Sequence, residues 1–449
     1  MCADESCGAG QGTVEGCCEL GNEIVGFMYY CEKVAVPISR TTTGFSRMTR
    51  VRVCCTVHLS DISTDSPLIL HHSHRKGMSP FRMPSDPSSL SLTFSSGDAV
   101  RLACPDVDNN LLAIPNSPLM VYEVIAFCIR DSTFSISGAA YNFNSVRCKL
   151  PPQSIIKEEG GCGIGNGTKY HIGFKLRRKF LGLIEVCYDT AKHSTLNAVY
   201  ILSKDVGYQD VNSQTNSYIS GSDFRSDNTR TPDDFYSCKN QFKTLGHILG
   251  SSIQAKKYIN CNHKSKTYFD KCHLAPSDDF LFGYQKNATS YYINTAPQWK
   301  AISTGNWNIL DNRIRRYAST HKVDLTIVTG TMNVTTLQDA SGTERNLYLS
   351  KDLRNKSTVP VPAVFWKLVL DRPRSAGIVF VCINNPYHHD IYIRGYVICT
   401  NICNSTTSWF DGWNRLDVRL GYVYCCTVDE FRAKSRIKPF PFSARHILR

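Results

Sequence analysis

The chain has 449 residues, 42% apolar and 20% charged, with Lys+Arg 51 against Asp+Glu 38 and a formal charge of +13. That length buries the cores of two or three ordinary domains, which excludes a mini-protein that folds only through cross-links. No stretch reaches the apolar length of a membrane helix, and the positive field favours polyanionic partners: nucleic acid, anionic glycans or acidic membrane surfaces.

Residues 1–57 are rich in Cys and Gly, show little periodicity and match no recognisable module. The opening "MCADESCGAGQGTVEGCCELGNEIVGF" has neither the basic nor the apolar region of a secretory leader. Yet there are 20 cysteines, with adjacent pairs at Cys17-Cys18, Cys54-Cys55 and Cys425-Cys426, and Asn-x-Ser/Thr acceptors at Asn166, Asn287, Asn333, Asn355 and Asn404. Both features suit an oxidising, secretory route, so the expectation is a secreted glycoprotein with disulfides whose leader lies outside this sequence.

Residues 60–100 read as loop through "HHSHRKGMSPFRMPSDPSSLSL", and His71, His72 and His74 fit a solvated loop better than a metal site. From 88 to 150, "LSLTFSSGDAVRLAC", "PLMVYEVIAFCI" and "STFSISG" alternate in strand fashion and predict a small β-rich module over 58–165. "GGCGIGNGTKY" has no strand-to-helix context and reads as a loop rather than a phosphate cradle. A second unit spans 170–435. Its strands are "YHIGFKL", "FLGLIEVCYD", "LNAVYILS", "KVDLTIVTGTM", "AVFWKLVLD", "AGIVFVCINN" and "GYVYCCTV", and "NQFKTLGHILGSSIQAKKYI" has helical spacing. Without strict βα alternation this predicts an α+β sheet, followed by a basic tail over 436–449.

The chemistry concentrates in "YFDKCHLAPSDDF", where Asp270, Lys271, Cys272 and His273 are consecutive. A histidine of near-neutral pKa can take a proton from water, and a neighbouring lysine can hold a phosphate oxygen. A surface loop fits the same residues. So, less well, does a zinc clip of Cys261, His263, Cys272 and His273, whose adjacent ligands suit a tetrahedron poorly. Cys272 paired with another cysteine is a further alternative. Downstream, "YYINTAPQWKAISTGNWNILDNRIRRYA" predicts a strand end, a turn around Pro297 and a helix from about Gly305. Trp307, Leu310, Ile314 and Tyr317 form its core-facing stripe, with Asp311 and Arg315 one turn apart on an edge of it.

These blocks, with "TLGHILGSSIQAKKYI", "HLAPSDDF", "NTAPQW…GNW", "VPAVFWKLVLD" and "NNPY", resemble the DNA/RNA non-specific endonucleases, the ββα-metal nucleases, over roughly 170–430. The likeness is to their secreted insect branch, which includes double-stranded ribonucleases. It implies an α+β fold: a ββα-metal nuclease domain with a central, mainly antiparallel sheet flanked by helices, preceded by the small β-rich module. The family motif Asp-Arg-Gly-His falls on Asp270, Lys271, Cys272 and His273, so Lys stands for Arg and Cys for Gly. Lys keeps the charge but not the bidentate fork, and Cys is strained if that backbone needs positive φ. Asn294, Pro297, Gln298, Trp307 and Arg315 match the downstream motif, and Asp311 replaces its Glu. The family's Phe-Asn pair is Ile302-Ser303 here, and that Asn is the protein ligand to Mg²⁺.

The resemblance implies His273 as general base, Lys271 and Arg315 on phosphate oxygens, and Asp311 orienting metal-bound water. Asp270, Asn294 and Trp307 would contact substrate. Ser303, with Asn294 as a weak second ligand, would hold Mg²⁺ or Mn²⁺. Products would be 5′-phosphorylated fragments of DNA or RNA, with little sequence specificity, made by a monomer or homodimer. The alternative is a secreted nucleic-acid-binding relative with weakened or lost catalysis, because Ser303 stands in the ligand position. A binder of acidic glycans is the third reading.

Overall fold

The computed structural model describes residues 53–449 apart from 74–78, 85–89, 113–120, 164–166, 178, 207–231, 261, 263, 352–353, 389–392 and 406–408. The Cys261–His263 clip, His74 and the Asn166 acceptor therefore involve positions outside the described residues. The alternating runs of the first module become β1 (Val53–His58), β2 (Leu68–His71), β3 (Ser91–Ser95), β4 (Ala99–Ala103), β5 (Glu123–Arg130), β6 (Thr133–Ile136) and β7 (Ala139–Asn142). β1 pairs with β3, and β2-β4-β5-β6-β7 form an antiparallel sheet. Cys55–Cys128 and Cys104–Cys148 staple the module. β3 forms in the "LSLTF" run that reads as strand, whereas β2 falls inside the 60–100 segment expected to be loop. Leu68, Ile69 and Leu70 have no exposure, and burying three large apolar side chains outweighs the Pro/Ser content around them.

The remaining strands are β8 (Ile155–Gly161), β9 (Gly167–Leu176), β10 (Lys179–Asp189) and β11 (Ser194–Leu202). Helices α1 (Pro232–Tyr236), α2 (Cys238–Ile248) and α3 (Ser252–Tyr258) then lead into β12 (Phe269–His273). Next come α4 (Gly283–Ala288), β13 (Thr295–Trp299), α5 (Lys300–Ser303), α6 (Asn306–His321) and β14 (Leu325–Val334). Two hairpins follow, β15 (Thr336–Gln338) with β16 (Glu344–Asn346) and β17 (Tyr348–Lys351) with β18 (Ser357–Pro360). β19 (Pro362–Asp371), β20 (Ala376–Ile383), β21 (Val423–Cys426), the helix Val428–Lys434 and β22 (His446–Ile447) complete the chain.

Among the described residues the main sheet runs β21-β20-β19-β14-β11-β10-β9-β8, antiparallel throughout, with β22 added in parallel beside β20. Two of its inner strands, "PAVFWKLVLD" and "AGIVFVCI", are buried along their whole length, as continuous apolar runs covered on both faces should be. Successive residues of β19 face opposite layers. Phe365 and Lys367 meet α6 through Trp307, while Trp366 packs on Phe431 and Phe440 from the C-terminal segment. The expected α+β class with a mainly antiparallel sheet and a β-rich module is what forms.

Three boundaries differ from expectation. β8 lies within 58–165 but pairs with β9, so the main sheet begins earlier than 170. The module also docks closely: Asp106 N–H donates to the Lys175 carbonyl at 2.8 Å, and Phe81 meets Phe174 edge-on. Residues 436–449 are no loose tail. β22 joins the sheet, Leu448 is buried, and Trp409 Nε1 donates to its carbonyl at 3.3 Å. The single helix expected over 240–259 breaks into α2 and α3 at Gly250, whose φ of +67° suits glycine. Ser237 and Ser251 cap the two starts, each accepting a backbone N–H at 3.3 Å.

Candidate active site

β12 and β13 form a two-stranded antiparallel ribbon that runs directly into α5 and α6, giving the ββα element. The register places Asp270 opposite Gln298, Lys271 opposite Pro297, Cys272 opposite Ala296 and His273 opposite Thr295. Pro297 therefore sits inside a strand rather than at the expected turn. A ribbon of two strands has only edges, where the missing N–H costs no ladder bond. The ribbon is fixed from both sides. Gln241 of α2 exchanges two 2.8 Å bonds with the Phe269 backbone, and Asn384 accepts from Trp299 N–H at 3.1 Å.

Asn294 departs from the role expected of it. Its side chain has no exposure; Oδ1 accepts from Ala275 N–H, and Nδ2 donates to the Ala275 and Thr289 carbonyls, all at 2.9 Å. An amide committed to three backbone groups in the interior is not placed to meet substrate or a cation. It instead pins the turn that leaves His273, where Leu274 N–H also donates to the Asn294 carbonyl at 2.9 Å.

His273 closes β12 and is partly buried. Desolvation pulls its pKa from 6.5 down to about 4; nearby Asp270 and Asp278 pull upward and Lys271 pushes further down. The imidazole is therefore neutral at physiological pH, the form that accepts a proton. By strand alternation Lys271 lies on the His273 face of the ribbon, with Asp270 and Cys272 on the other. Lys271 Nζ pairs with Asp233 and lies 5.7 Å and 5.4 Å from the Tyr236 and Tyr292 rings. Asp233 is 60% exposed, so an incoming anion can replace it without a buried carboxylate being stranded. Asp270 accepts from Lys300 Nζ at 2.6 Å and from the Lys271 N–H at 2.9 Å. Cys272 holds ordinary strand geometry, so no left-handed strain arises there. It is a free, buried thiol, as is Cys382, and burial raises its pKa.

On α6, Trp307, Leu310 and Ile314 face the core as the spacing predicts, whereas Tyr317 is half-buried and stacks on Trp409 at 4.7 Å. Trp307, expected at the substrate, is buried against Phe365 beneath Lys367, whose Nζ is 4.9 Å from its ring. A ring enclosed on both sides packs the helix to the sheet and meets no ligand. Asp311 is also buried; desolvation raises its pKa while Lys367, which donates to Oδ1, opposes that. Arg315 donates to Asp279 at 2.7 Å and to Asn312 at 2.7 Å, with Asp278 at 3.9 Å, and Tyr200 hydroxyl donates to the second oxygen of Asp279. The guanidinium is thus held by carboxylates of the segment that follows His273.

The short α5 ends at Ser303, whose hydroxyl donates back to the Lys300 carbonyl at 3.2 Å. Gly305 is required next: a Cβ there would lie 2.5 Å from the Ala301 carbonyl and 2.7 Å from that of Leu420. Asn306 spends its amide on the Asn414 and Gly421 carbonyls, at 2.9 Å and 2.7 Å. Among the described residues no three His, Cys, Asp or Glu side chains gather as a metal site. Of the oxygens expected to hold Mg²⁺, Asn294 is committed elsewhere and Ser303 offers one neutral hydroxyl. This donor set does not fit an ion held by the protein.

Sequence reasoning missed Asp233, Asp279, Lys300 and Lys367. Lys367 carried a visible signal, the lone charge in the nine-residue apolar run "PAVFWKLVL"; Asp279 lay unassigned inside the quoted motif. Asp233 and Lys300 became visible only through pairing.

The family model for DNA/RNA non-specific endonucleases matches residues 165–431. The salivary endonuclease of Lutzomyia longipalpis is 27% identical over 363 residues, covering 79% of this chain and 77% of that protein. Salivary protein Tsal1 of Glossina morsitans morsitans is 26% identical over 309 residues, covering 67% and 72% respectively. A solved structure titled "Crystal structure of the EndoG/EndoGI complex: Mechanism of EndoG inhibition" is 19% identical, covers 52% of this chain and 85% of that one, and has a TM-score of 0.30. With the family model spanning more than half its length, this chain belongs to the DNA/RNA non-specific endonucleases, enzymes that hydrolyse the phosphodiester bonds of nucleic acids.

Proposed function

We propose that the chain is a secreted endonuclease in which His273 is the general base. The observation that carries this is the imidazole held neutral at the end of β12, beside the cation of Lys271. His273 takes a proton from water as the oxygen attacks phosphorus, and the bond to the leaving oxygen breaks in line. Lys271 exchanges Asp233 for a phosphate oxygen and stabilises the charge that builds there. Asp270 acts by holding Lys300, and Asp311 and Arg315 act as positioning residues, tying α6 to the sheet and to the segment after His273. Members of the family are generally metal-dependent; no step here is routed through an ion, because the donor set does not hold one. Backbone contacts imply little base specificity and binding that weakens with salt. Secretion rests on five disulfides among the described residues and on the salivary names of the relatives.

A second reading is favoured by one observation: Ser303 turns its hydroxyl onto its own helix. It is a nucleic-acid-binding relative with slow turnover. Cleavage of double-stranded RNA and plasmid DNA by purified wild type, His273→Ala and Ser303→Asn, across a Mg²⁺ titration, separates the two. Loss of cleavage in His273→Ala supports the first reading. Wild-type silence with retained binding supports the second.

A further inference from the structure

Between Asp234 and Asp270 the chain runs 35 residues without a carboxylate and carries six lysines: Lys239, Lys243, Lys256, Lys257, Lys264 and Lys266. These supply six charges toward a net of +13. All six are exposed. On α2, Gln241 and Leu245 are buried while Lys239 and Lys243, four apart, point outward; on α3, Gln254 and Ala255 are buried while Lys256 and Lys257 are exposed. Lys264 and Lys266 stand on the turn closed by Asn260 N–H to the Thr267 carbonyl at 3.0 Å.

This basic segment is joined to the active ribbon by hydrogen bonds. Gln241 of α2 holds the Phe269 backbone, four residues before His273. The Lys266 carbonyl accepts from Ala301 N–H at 3.0 Å, on the helix that ends at Ser303. A second acid-free stretch, 431–449, is equally basic, with Arg432, Lys434, Arg436, Lys438, Arg445 and Arg449 all exposed. Its Phe431 and Phe440 pack on Trp366, on the sheet face opposite α6. Charge alone does not separate the two stretches; attachment to the ribbon does.

We propose that α2, α3 and the exposed Lys264 and Lys266 form a docking track for the backbone of a nucleic acid duplex, holding the strand that flanks the scissile phosphate. This rests on the nuclease reading and adds where the substrate lies. Exposed lysines on a stretch of chain that carries no carboxylate of its own suit phosphate, with no base readout. The track's own prediction is that long substrates bind better than short ones, through KM rather than kcat.

The test uses the full chain and a 30-base-pair duplex, as RNA and as DNA. The variant K239Q/K243Q/K256Q/K257Q/K264Q/K266Q is compared with R432Q/K434Q/R436Q/K438Q/R445Q/R449Q. If four or more of the track lysines meet phosphates, the slope of log affinity against log salt becomes shallower by about 4 in the first variant. KM for long duplex rises at least tenfold there, with kcat unchanged, and the second variant stays near wild type. Equal losses in both variants would overturn the track. So would an unchanged slope in the first, including the case where it loses heparin or anionic-vesicle binding instead. Should the sixfold variant unfold, the pairs K239Q/K243Q, K256Q/K257Q and K264Q/K266Q each carry about a third of the slope change. Failure of the nuclease reading is separate: it is cleavage unaffected by His273→Ala, whereas the track is read from binding.

Discussion

Replacing Lys367 by Met probes how the site is supported. The ammonium is 1% exposed, donates to Asp311 and lies over Trp307; Arg315, the other nearby cation, is committed to Asp279. Without Lys367, Asp311 is a buried carboxylate that must stay charged alone or take a proton. Taking a proton at pH 7 against an ordinary pKa near 3.9 costs about 4 kcal/mol, and breaking a buried pair costs about 3–5 kcal/mol. The expected loss is therefore about 4 kcal/mol at pH 7. The pH sign follows. In Lys367→Met the folded-state pKa of Asp311 lies above its unfolded value, so the folded state binds the proton more tightly. The penalty is small near pH 4 and grows as pH rises toward the folded pKa. Urea denaturation at pH 4.5 and pH 7 measures it, and Lys367→Met combined with Asp311→Leu should recover at least half the loss. A single-variant loss under about 1 kcal/mol, or one equal at both pH values, would refute the argument.

Other outcomes follow from the same geometry. As the proposed base, His273 acts only when neutral, so kcat/KM should fall only as pH drops through about 4; an acid limb near 6.5 would mean the base is elsewhere or not desolvated. Asn294→Ala strands one backbone donor and two carbonyls, so stability should fall by about 2–4 kcal/mol in a denaturant titration, and unchanged stability would contradict its structural role. Trp307→Phe should lower Tm while duplex affinity stays within twofold, whereas a tenfold affinity loss would return Trp307 to the substrate. Ser303→Asn should raise Mg²⁺-dependent cleavage at least tenfold; no change would show that the ligand position does not limit turnover.

The sheet was legible because its signals are local. "AVFWKLVLD" and "AGIVFVCINN" are too apolar to be anything but buried strands, and α6 shows its stripe over three turns. The segment 60–100 misled because Pro and Ser punctuate it while its few Leu and Ile carry the burial. In the candidate site, His273 and Lys271 are nominated by residue type and order. Asn294 and Trp307 were not, because the same amide or indole serves a ligand or the interior equally well, and only burial decides. Partners such as Asp233 and Asp279 depend on tertiary contact between segments 38 and 36 residues from Lys271 and Arg315. No spacing rule reaches that far.

The adjacent cysteines of β21 lie on opposite faces of a strand, so they cannot join each other and instead grip one turn from two sides, as Cys399–Cys426 and Cys403–Cys425. The loop they close supplies the Asn414 and Gly421 carbonyls that hold Asn306, and the Leu420 carbonyl that crowds Gly305, at the start of α6. The helix beside the catalytic ribbon is thus seated by a loop that oxidation locks. With those bonds reduced, only packing and hydrogen bonding would hold that seat in place.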